Sequence, residues 1–205
     1  MRERICYVFG AGESTPCSVK PEKDDLVIAA DGGYDFAAAL GLKVDILIGD
    51  LDSIKEQALP GNHITHPKEK DDTDMMLVLK YALEKGYYHF EIYGGLGGRL
   101  DHTIANLQAL TFLAKKRASA VLHGENYKIT TVHNSFITFP AKDSGIISVF
   151  SLSDKSKGVS IKGLKYPVRH GELTNDFPLG ISNEFIGKEV TISVRKGTLG
   201  VLWYE

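Results

Sequence analysis

KVDILIGDLDSI, at residues 43–54, is the stretch of sequence that decides the fold. Its first half is short, apolar and rich in branched residues, which is typical of a buried strand in a parallel sheet, and Gly49 ends that strand. Asp50 and Asp52 then lie at the carboxyl end of the strand, where open α/β sheets bind their ligands. Because side chains alternate along an extended backbone, both carboxylates point the same way. The stretch therefore predicts an α/β sheet with acidic groups at its edge.

Two explanations fit this pair of acids. Carboxylates held so close repel each other unless a divalent cation lies between them and a polyphosphate, and Mg²⁺ usually takes one or two carboxylates. Alternatively, Asp52 or Ser53 caps a short helix that begins near Ile54. The pattern D-x-D-S is common, so the pair alone leaves both explanations open.

The composition is that of a globular protein with room for two units. The chain has 205 residues, of which 43% are apolar and 24% charged, which fits one α/β unit and a smaller partner. A net charge of -2 argues against nucleic acid as a partner but leaves room for a local basic pocket. Cys6 and Cys17 are the only cysteines, and the apolar run Ile5–Phe9 is too short for a signal peptide or a membrane span. We therefore expect a reduced, cytoplasmic setting and no membrane.

Two earlier strands lead to the same edge of the predicted sheet. Ile5–Phe9 is followed by GAGE at residues 10–13, a glycine turn that could bring backbone amides close to a phosphate. Leu26–Ala30 is a second buried strand, and it ends in DGG at residues 31–33, before an alanine-rich helix over Tyr34–Leu40. The acid of this motif would need no function if it caps the helix. Two consecutive strands that end in acids nevertheless favour a shared polar site.

A third acidic segment precedes another predicted helix. His63–His66 indicates a short strand, PKEKDDTD follows at residues 67–74, and apolar residues at helical spacing over Met75–Leu83 predict a helix. Asp71 or Asp72 would cap this helix, where the helix dipole stabilises acids. Capping explains one or two acids, whereas three acids after two lysines indicate a site that handles metal, phosphate and substrate. The two histidines have no nearby cysteine or third histidine to complete a zinc site.

GGLGGRLDH, at residues 94–102, follows the predicted strand His89–Tyr93. Its glycines allow close approach to a ligand, and Arg99 offers a planar fork for phosphate oxygens at the start of a helix that runs to Arg117. We expect Asp101 to cap that helix. The motif is neither a Rossmann fingerprint nor a P-loop, because the distant acid and the Gly-Lys-Ser/Thr sequence are missing. A capped glycine turn fits any α/β protein, but the adjacent Arg and Asp favour a site.

The pattern changes after residue 124 to short β-type runs separated by turn residues, which predicts an all-β, sandwich-like or barrel-like domain. The predicted strands are Tyr127–Val132, Phe136–Phe139, Ile146–Leu152, Val159–Ile161, Leu164–Val168, Val190–Val194 and Leu199–Tyr204. The domain boundary is expected near residue 125. An aromatic face with small polar groups suits a flat heteroaromatic ligand, and the candidates are Tyr166, Ser182, Asn183 and Trp203. By pattern alone, Trp203 would be a core residue and Ser182-Asn183 a turn.

Taken together and in this order, the motifs resemble thiamine pyrophosphokinase. The resemblance rests on residues 31–33, 49–53, 71–74 and 94–101, followed by 163–166, 182–184 and 202–203. It implies transfer of a pyrophosphoryl group from ATP to the hydroxyethyl group of thiamine, giving thiamine diphosphate and AMP. It also implies a catalytic α/β domain over residues 1–124 that binds ATP and Mg²⁺, and a β domain over residues 125–205 that binds thiamine. The expected assembly is a homodimer with active sites at the subunit interface.

The resemblance also implies roles for individual residues. Asp50, Asp52 and Asp74 would hold Mg²⁺ and the polyphosphate. The residues expected at the nucleotide are Asp31, Gly32, Gly33, Ser53, Thr73, Gly97 and Arg99. Arg99 and Asp101 would act in catalysis, and either Asp101 or Asp74 could accept the proton of the attacking hydroxyl or orient it. The residues expected at thiamine are Asp101, Tyr166, Ser182, Asn183 and Trp203.

The sequence departs from the expected family pattern at four positions, which are Tyr34, Asp35, Lys70 and Tyr166. These departures bear on contacts to nucleotide and thiazolium and leave the metal-binding acids intact.

Two other functions use the same features. A different metal-dependent phosphotransferase or phosphohydrolase would release ADP or inorganic phosphate, and a non-catalytic binding module would hold ligand without turnover. The acidic set argues against the binding module, which has no use for so many unneutralised carboxylates.

Overall fold

The computed structural model describes residues 2–50, 62–67 and 71–205. These residues fall into two compact units. One contains the described residues of Met1–Leu113 together with Ala118–Glu125, and the other contains Ala114–Arg117 and Asn126–Glu205. In these described ranges, no helix is long and apolar enough to cross a membrane.

The first unit is built on a parallel sheet, as the sequence predicts. Its described strands are β1 (Ile5–Phe9), β2 (Leu26–Ala30), β3 (Ile46–Gly49), β4 (His63–Thr65), β5 (His89–Tyr93) and β6 (Ser119–His123). Their order in space is β6-β5-β1-β2-β3-β4. The chain therefore runs outward from β1 to β4 and then returns to the other side of β1 for β5. Such a reversal opens a crevice at the carboxyl ends of the two strands that flank it, here β1 and β5.

Three helices accompany this sheet in the described residues: α1 (Gly33–Ala39), α2 (Asp74–Glu84) and α3 (Leu100–Lys115). The prediction that Asp71 or Asp72 caps α2 is wrong, because Thr73 is the N-cap and its hydroxyl accepts the Met76 amide at 3.2 Å. The extended backbone of Thr73 places its short side chain over the first turn. Asp72 pairs with Lys80 instead, at 2.6 Å.

The other two predicted caps are also corrected. Asp101 lies inside the first turn of α3, one residue past its start, and its carboxylate accepts the amide of His102 at 3.0 Å. Gly32 is the N-cap of α1, so Asp31 does not cap that helix. Instead, Asp31 adopts a left-handed backbone with φ of 44°. It joins β2 to β3, since its amide donates to the carbonyl of Ile48 at 2.9 Å.

The sheet of the first unit is buried on both faces near its centre, which explains why its strands are nearly continuous apolar runs. Phe9 of β1 is fully buried, packs edge-on against Phe36 of α1 and stacks on Tyr93 of β5, each with ring centroids 5.4 Å apart. Such aromatic pairs add stabilisation beyond their buried area. The core therefore fixes the end of β1 against α1 and β5, next to the crevice.

The second unit consists of two antiparallel sheets, which confirms the sandwich-like prediction. Its strands are β7 (Tyr127–His133), β8 (Phe136–Phe139), β9 (Ile146–Ser151), β10 (Lys155–Lys162), β11 (Val168–Thr174), β12 (Asn183–Glu184), β13 (Val190–Ser193) and β14 (Thr198–Tyr204). One sheet has the order β12-β9-β14-β7 and the other β11-β10-β13-β8. Their apolar faces share one core that includes Ile147, Val201, Ile161 and Ile192.

Two strand predictions in this unit need correction. Leu164–Val168 does not form the predicted strand, because Gly163 has a positive φ of 80° and Pro167 has no amide to donate. Strand β11 begins only at Val168. The predicted strand Val159–Ile161 extends to Lys155–Lys162, since Gly158 forms a bulge inside β10 rather than ending it.

Candidate functional site

A cavity of about 600 Å³ lies in the first unit where β1 and β5 end. The glycine turns after these strands form one side of it, and the end of β2 and the beginnings of α2 and α3 contribute the rest. The lining contains carboxylates, a guanidinium, an amide and glycine backbone. The described residues that supply these groups are Gly10, Glu13, Asp31, Asp74, Gly97, Arg99 and Asn106. This position is the one expected from the reversal of strand order.

The two glycine turns pack directly against each other. A β-carbon added to Gly94, whose φ is 61°, would lie 2.2 Å from the carbonyl oxygen of Gly10. A β-carbon added to Gly10 would in turn lie 2.7 Å from the carbonyl oxygen of Gly94. The amide of Gly12 donates to that same oxygen at 2.7 Å, which joins the turns by a hydrogen bond. Backbone therefore forms much of this wall, and a ligand can approach it closely.

Two residues of this wall were missed as functional candidates by the sequence analysis. Glu13 accepts the amide of Gly98 at 3.3 Å, and a β-carbon on Gly97 would lie 2.2 Å from its carboxyl carbon. Asn106 of α3 donates to the carbonyl of Gly95 at 2.6 Å. The only available signals were that Glu13 directly follows the first glycine turn and that Asn106 lies one and a half turns into α3. Together they fix the turn at residues 94–99.

Two of the predicted acids follow neighbouring strands at one edge of the sheet, and a third lines the cavity with one of them. Asp31 and Asp50 directly follow the paired parallel strands β2 and β3, and a β-carbon added to Gly49 would lie 3.1 Å from the β-carbon of Asp31. Asp74 is the first residue of α2 and lines the cavity together with Asp31. Asp50 is partly buried and, among the described residues, is not in the cavity lining. Asp52, Ser53 and Lys70 lie outside the described residues.

The remaining predicted nucleotide residues divide into lining and supporting positions. Thr73, Gly97 and Arg99 line the cavity. Gly33 and Gly32 are not in its described lining. Gly33 has a structural role, because an added β-carbon would lie 2.0 Å from the carbonyl oxygen of Phe9. Helix α1 can therefore start against the end of β1 only with glycine at this position.

Arg99 and Asp101 form an exposed ion pair at the rim of the cavity. The Arg99 guanidinium hydrogen-bonds the Asp101 carboxylate, and this holds the pKa of Asp101 at about 2; the His102 amide adds to the effect. The same pairing raises the pKa of Arg99. Asp101 therefore remains a carboxylate over the whole physiological pH range.

The donor chemistry of this edge suits a hard cation such as Mg²⁺. Asp31, Asp50 and Asp74 offer carboxylate oxygens only. Within residues 2–50, 62–67 and 71–205, no three His, Cys, Asp or Glu side chains come close enough to form a complete metal cage. That arrangement is compatible with Mg²⁺, which takes one or two carboxylates and completes its octahedron with water and substrate phosphates.

Of the five residues predicted at thiamine, Asp101 lies in the first unit and the other four lie in the second, where one pair is tightly joined. Asn183 is only 4% exposed, and its side-chain amide accepts the Tyr166 amide at 3.0 Å and donates to the Tyr166 carbonyl at 2.8 Å. The Tyr166 ring is 57% exposed. Asn183 therefore holds the backbone of Tyr166 in place, and with it the position of the ring. The sequence predicted only a turn at Ser182-Asn183 and not this contact. Asn183 itself lies in strand β12, which pairs with β9.

Ser182 and Trp203 are held in different ways. Ser182 has a left-handed backbone with φ of 59°, and its amide donates to the Ser148 hydroxyl at 3.1 Å. Its own side chain remains exposed. Trp203 is partly buried against the core and packs edge-on against Phe139 with ring centroids 5.1 Å apart. One part of Trp203 therefore supports the core, and the rest is accessible.

Comparison with known proteins identifies the family. Residues 20–122 match the family model described as thiamin pyrophosphokinase, catalytic domain, and residues 134–199 match the one described as thiamin pyrophosphokinase, vitamin B1 binding domain. The thiamine pyrophosphokinase of Bacillus subtilis (strain 168) is 34% identical over 195 residues, which cover 87% of this chain and 86% of that protein.

Solved structures agree with these matches. The crystal structure of thiamine pyrophosphokinase from Bacillus subtilis superposes with a TM-score of 0.86 at 27% identity, covering 98% of this chain and 99% of that one. The thiamin pyrophosphokinase structure from Geobacillus thermodenitrificans gives 0.83 at 25% identity, covering 98% and 97%. The resemblance inferred from the motifs is thereby confirmed, and the chain belongs to the thiamin pyrophosphokinase family of enzymes.

Proposed function

We propose that this protein transfers a pyrophosphoryl group from ATP to thiamine, giving thiamine diphosphate and AMP. The observation that carries the proposal is the cavity in which Asp31, Thr73 and Asp74 face the glycine turn that ends at Arg99. Acids for a metal and a turn for phosphate are the two parts that phosphoryl-type transfer requires. Membership of the family supplies the pair of substrates.

In this proposal the triphosphate lies along the glycine turns. Because glycine backbone forms the wall at Gly10 and Gly94, phosphate oxygens can approach closely. Arg99 begins in a pair with Asp101, and its exposed guanidinium retains donors that can bind the transferred group. Asn106 keeps the turn in position through Gly95. Positioning of this kind is the main catalytic contribution that a protein makes to such reactions.

Asp50 and Asp74 would hold Mg²⁺ together with Asp52, which lies outside the described residues, and with Asp31 nearby. Bound Mg²⁺ supplies neutralisation of charge on the phosphate oxygens. The carboxylates keep the polyphosphate in register with the attacking hydroxyl. They also offer charge complementary to the thiamine cation.

The hydroxyl of thiamine attacks the β-phosphorus, the bond between the α,β-bridging oxygen and that phosphorus breaks, and AMP leaves. The hydroxyl proton must go to a nearby base or to water. Asp101, with its pKa at about 2, is a weak proton acceptor while it is paired with Arg99, which favours an orienting role for Asp101. Of Asp74 and Asp101, Asp74 is therefore the candidate for accepting the proton.

The second unit would bind the thiamine ring system through Tyr166, Ser182, Asn183 and Trp203. The exposed Tyr166 ring and the accessible part of Trp203 provide flat aromatic surface for a heteroaromatic ligand.

In this proposal residues 1–124 form the catalytic domain and residues 125–205 the thiamine-binding and dimerisation domain. The active enzyme is a homodimer with active sites at the subunit interface, and it works in the cytoplasm, where the free thiols of Cys6 and Cys17 remain reduced.

The decisive experiment follows the phosphorus atoms. The protein is mixed with thiamine, Mg²⁺ and ATP that carries a label in either the α- or the γ-phosphate. We expect γ-label in thiamine diphosphate and α-label in AMP, with the two products formed in equal amounts. Controls omit thiamine or add a chelator, and both should abolish product.

Other products would contradict the proposal in distinguishable ways. Formation of ADP with thiamine monophosphate would indicate attack on the γ-phosphorus. Free phosphate without thiamine consumption would indicate a phosphohydrolase. Binding of thiamine and ATP without any turnover would indicate a non-catalytic module.

A further inference from the structure

A second cavity, of about 650 Å³, lies on the second unit and shares no residue with the cavity described above. It opens over strands β10, β11 and β13, and its charged lining consists of Lys157, Arg195, His170 and Glu172. The facing hydroxyl residues Ser160 and Ser193 are directly paired across β10 and β13. Its volume lies in the range of small-molecule sites, roughly 300–1,000 Å³.

Two irregularities in the backbone form this cavity. Gly158, with φ of 64°, is the extra residue of a bulge in β10, and a β-carbon there would lie 2.9 Å from the β-carbon of Arg195. His170, with φ of 48°, lies in the matching irregularity of β11, and its amide donates to the Ser160 hydroxyl at 3.3 Å. Bulges re-aim side chains and are over-represented beside functional sites. A left-handed backbone at a non-glycine residue such as His170 also costs free energy.

The charges in the lining of this cavity and directly beside it oppose folding rather than support it. Lys157 and Lys196 lie directly opposite each other in an antiparallel bridge, with backbone hydrogen bonds of 2.7 Å and 3.1 Å in both directions. Like charges in directly opposite positions destabilise a sheet. Arg195 follows immediately, and its amide also donates to the Lys157 carbonyl, at 3.2 Å. Three cations are thus gathered by backbone pairing in a chain whose net charge is -2.

Compensation for these cations is weak. Among the described residues, Glu172 is the only acid of the lining, and it lies 3.7 Å from the Lys157 ammonium with both side chains about half exposed. Exposed pairs of this kind contribute little. Neither Arg195 nor Lys196 forms an ion pair with any residue that the structure describes. An anion bound in the cavity between Lys157 and Arg195 would relieve the repulsion, and the hydroxyls of Ser160 and Ser193 can donate to its oxygens.

We propose that this cavity binds a small phosphorylated molecule through Lys157, Arg195 and His170. The concave shape and limited size favour a small anion over an extended polyanion. Two cations and two hydroxyl donors match the several oxygens of a phosphate or diphosphate group, for which the Arg195 fork is suited. The site does not depend on the transfer reaction proposed above.

The test uses the full chain labelled with ¹⁵N and titrated, at constant ionic strength, with orthophosphate, inorganic pyrophosphate or AMP. Saturable shifts of the Ser160, Gly171, Ser193 and Arg195 amide signals are expected, separately from any shifts at Gly97 and Gly98. The compound that saturates these signals at the lowest concentration distinguishes a simple phosphate, a diphosphate and a nucleotide as the source. Shifts that stay linear in concentration for all three compounds would overturn the proposal.

A charge-matched pair of variants isolates the site. The double variant Lys157→Gln/Arg195→Gln should weaken binding at these amides by about tenfold or more, the scale of one lost charge-assisted hydrogen bond. Lys155→Gln/Lys162→Gln removes the same charge from exposed positions of β10 that do not line the cavity, and it should bind as the parent protein does. Equal weakening in both variants would mean that the signals report only bulk charge.

A single substitution keeps the test valid if the double variant does not fold. Lys196→Gln should raise the thermal midpoint without ligand, because it removes the repulsion with Lys157. It should also reduce the further rise that pyrophosphate produces in the parent protein. Lys155→Gln is the control for both measurements. A lower midpoint for Lys196→Gln, or an unchanged pyrophosphate effect, would contradict the inferred site.

Discussion

Arg99 holds Asp101 through two hydrogen bonds: its Nε donates to one carboxylate oxygen at 3.1 Å, and a terminal amino group donates to the other at 2.6 Å. Both side chains are largely exposed, at 72% and 64%, so the geometry of the fork rather than burial makes the pair effective. The arrangement presents a fixed cation at the rim of the cavity. It also lowers the pKa of Asp101, which makes the Asp101 carboxylate a weak proton acceptor while it is paired.

The first prediction concerns the pKa of Asp101. Arg99→Gln should raise it from about 2 toward its ordinary value of 3.8, because the main hydrogen-bonding partner of the ionised form is lost. The carboxyl signal of Asp101 followed by NMR during an acid titration measures the change. Arg117→Gln, beyond the other end of α3, is the control and should leave the titration unchanged. An unaltered pKa in Arg99→Gln would show that the pair does not persist in solution.

The second prediction concerns Asp74, which starts α2 and lines the cavity. Asp74→Asn should lower kcat roughly a hundredfold or more, the scale of one lost group that stabilises the transition state. The free energy of unfolding should fall by only about 0.3–1 kcal/mol, the interaction of one acid with the helix dipole. Steady-state kinetics and urea unfolding measure the two effects. Asp71→Asn, at an exposed position before the helix, should change neither.

If Asp74→Asn unfolded the protein while the folded fraction kept its specific activity, Asp74 would be structural. If Asp71→Asn lowered kcat as much as Asp74→Asn, the effect would reflect the charge of the segment rather than one site.

The third prediction compares neighbouring glycines. Gly33→Ala should destabilise the first unit by about 2 kcal/mol or more, because the new methyl group would meet the Phe9 carbonyl oxygen at 2.0 Å, where backbone has to move. Gly32→Ala should cost less than about 1 kcal/mol, since its nearest neighbour is the methyl group of Ala11 at 3.3 Å. Thermal and urea unfolding of the two variants provide the comparison. Equal costs would contradict the direct packing of α1 on the end of β1.

The fourth prediction concerns Asp25, whose side chain is fully buried at the start of β2. Its carboxylate accepts the amides of Ile5 and Glu22 and a guanidinium hydrogen of Arg2, each at 2.9 Å. Burial alone would raise its pKa, but the hydrogen bonds from Glu22, Ile5 and Arg2 outweigh burial and lower it below 3.8. Asp25→Ala should cost about 2 kcal/mol or more at pH 7, because two backbone donors lose their acceptor.

The lowered pKa of Asp25 also sets the sign of a pH dependence. The stabilisation is complete above the unfolded value of 3.8 and is lost as the pH falls through the lower folded value. Urea unfolding at a series of pH values should therefore show a smaller loss of stability in acid for Asp25→Ala than for the parent protein. Asp24→Asn, at the exposed neighbouring position, should follow the parent curve. Parallel curves for Asp25→Ala and the parent protein would contradict the lowered pKa.

The sequence predicted the parallel sheet well because its central strands are buried on both faces. Strands β1 at Ile5–Phe9 and β5 at His89–Tyr93 have the predicted bounds. Strand β3 begins at Ile46 rather than Val44, since Asp45 uses its carboxylate to accept the amide of Val27. Apolar pattern therefore locates a strand, but a single side-chain hydrogen bond decides where it starts.

Helix caps and bulges were predicted less well, because neighbouring residues compete for the same role. Thr73 caps α2 although Asp71 and Asp72 precede it, and only the backbone angles decide between the three. The bulge at Gly158 extends β10 where a glycine would usually end a strand. The alternation of apolar and polar residues in the sequence does not show which of several polar residues caps a helix. It also does not show whether a glycine ends a strand or forms a bulge.

The sequence predicted which motifs contribute to the candidate site, but not how their side chains are arranged in space. The positions of Asp31, Asp74 and Arg99 around one cavity follow from the order of the strands. Apart from its position directly after the first glycine turn, nothing in the sequence distinguishes Glu13, which contacts the turn at residues 97–98 across 85 positions of chain. Contacts of that range depend on tertiary packing, which local pattern does not encode. The roles of all these residues stay predictions until the variants are measured.

The mutual packing of Gly10 and Gly94 restricts how this cavity can be re-engineered. A side chain at either position collides with the backbone of the other, so no single substitution creates room for its neighbour to change. A library that randomises the cavity should therefore keep both glycines constant. Diversity is better placed at His102, whose exposed side chain lines the cavity from α3 and can vary without moving a strand end. New nucleotide specificities would then be sought from the helix side of the cavity, while its glycine side stays unchanged.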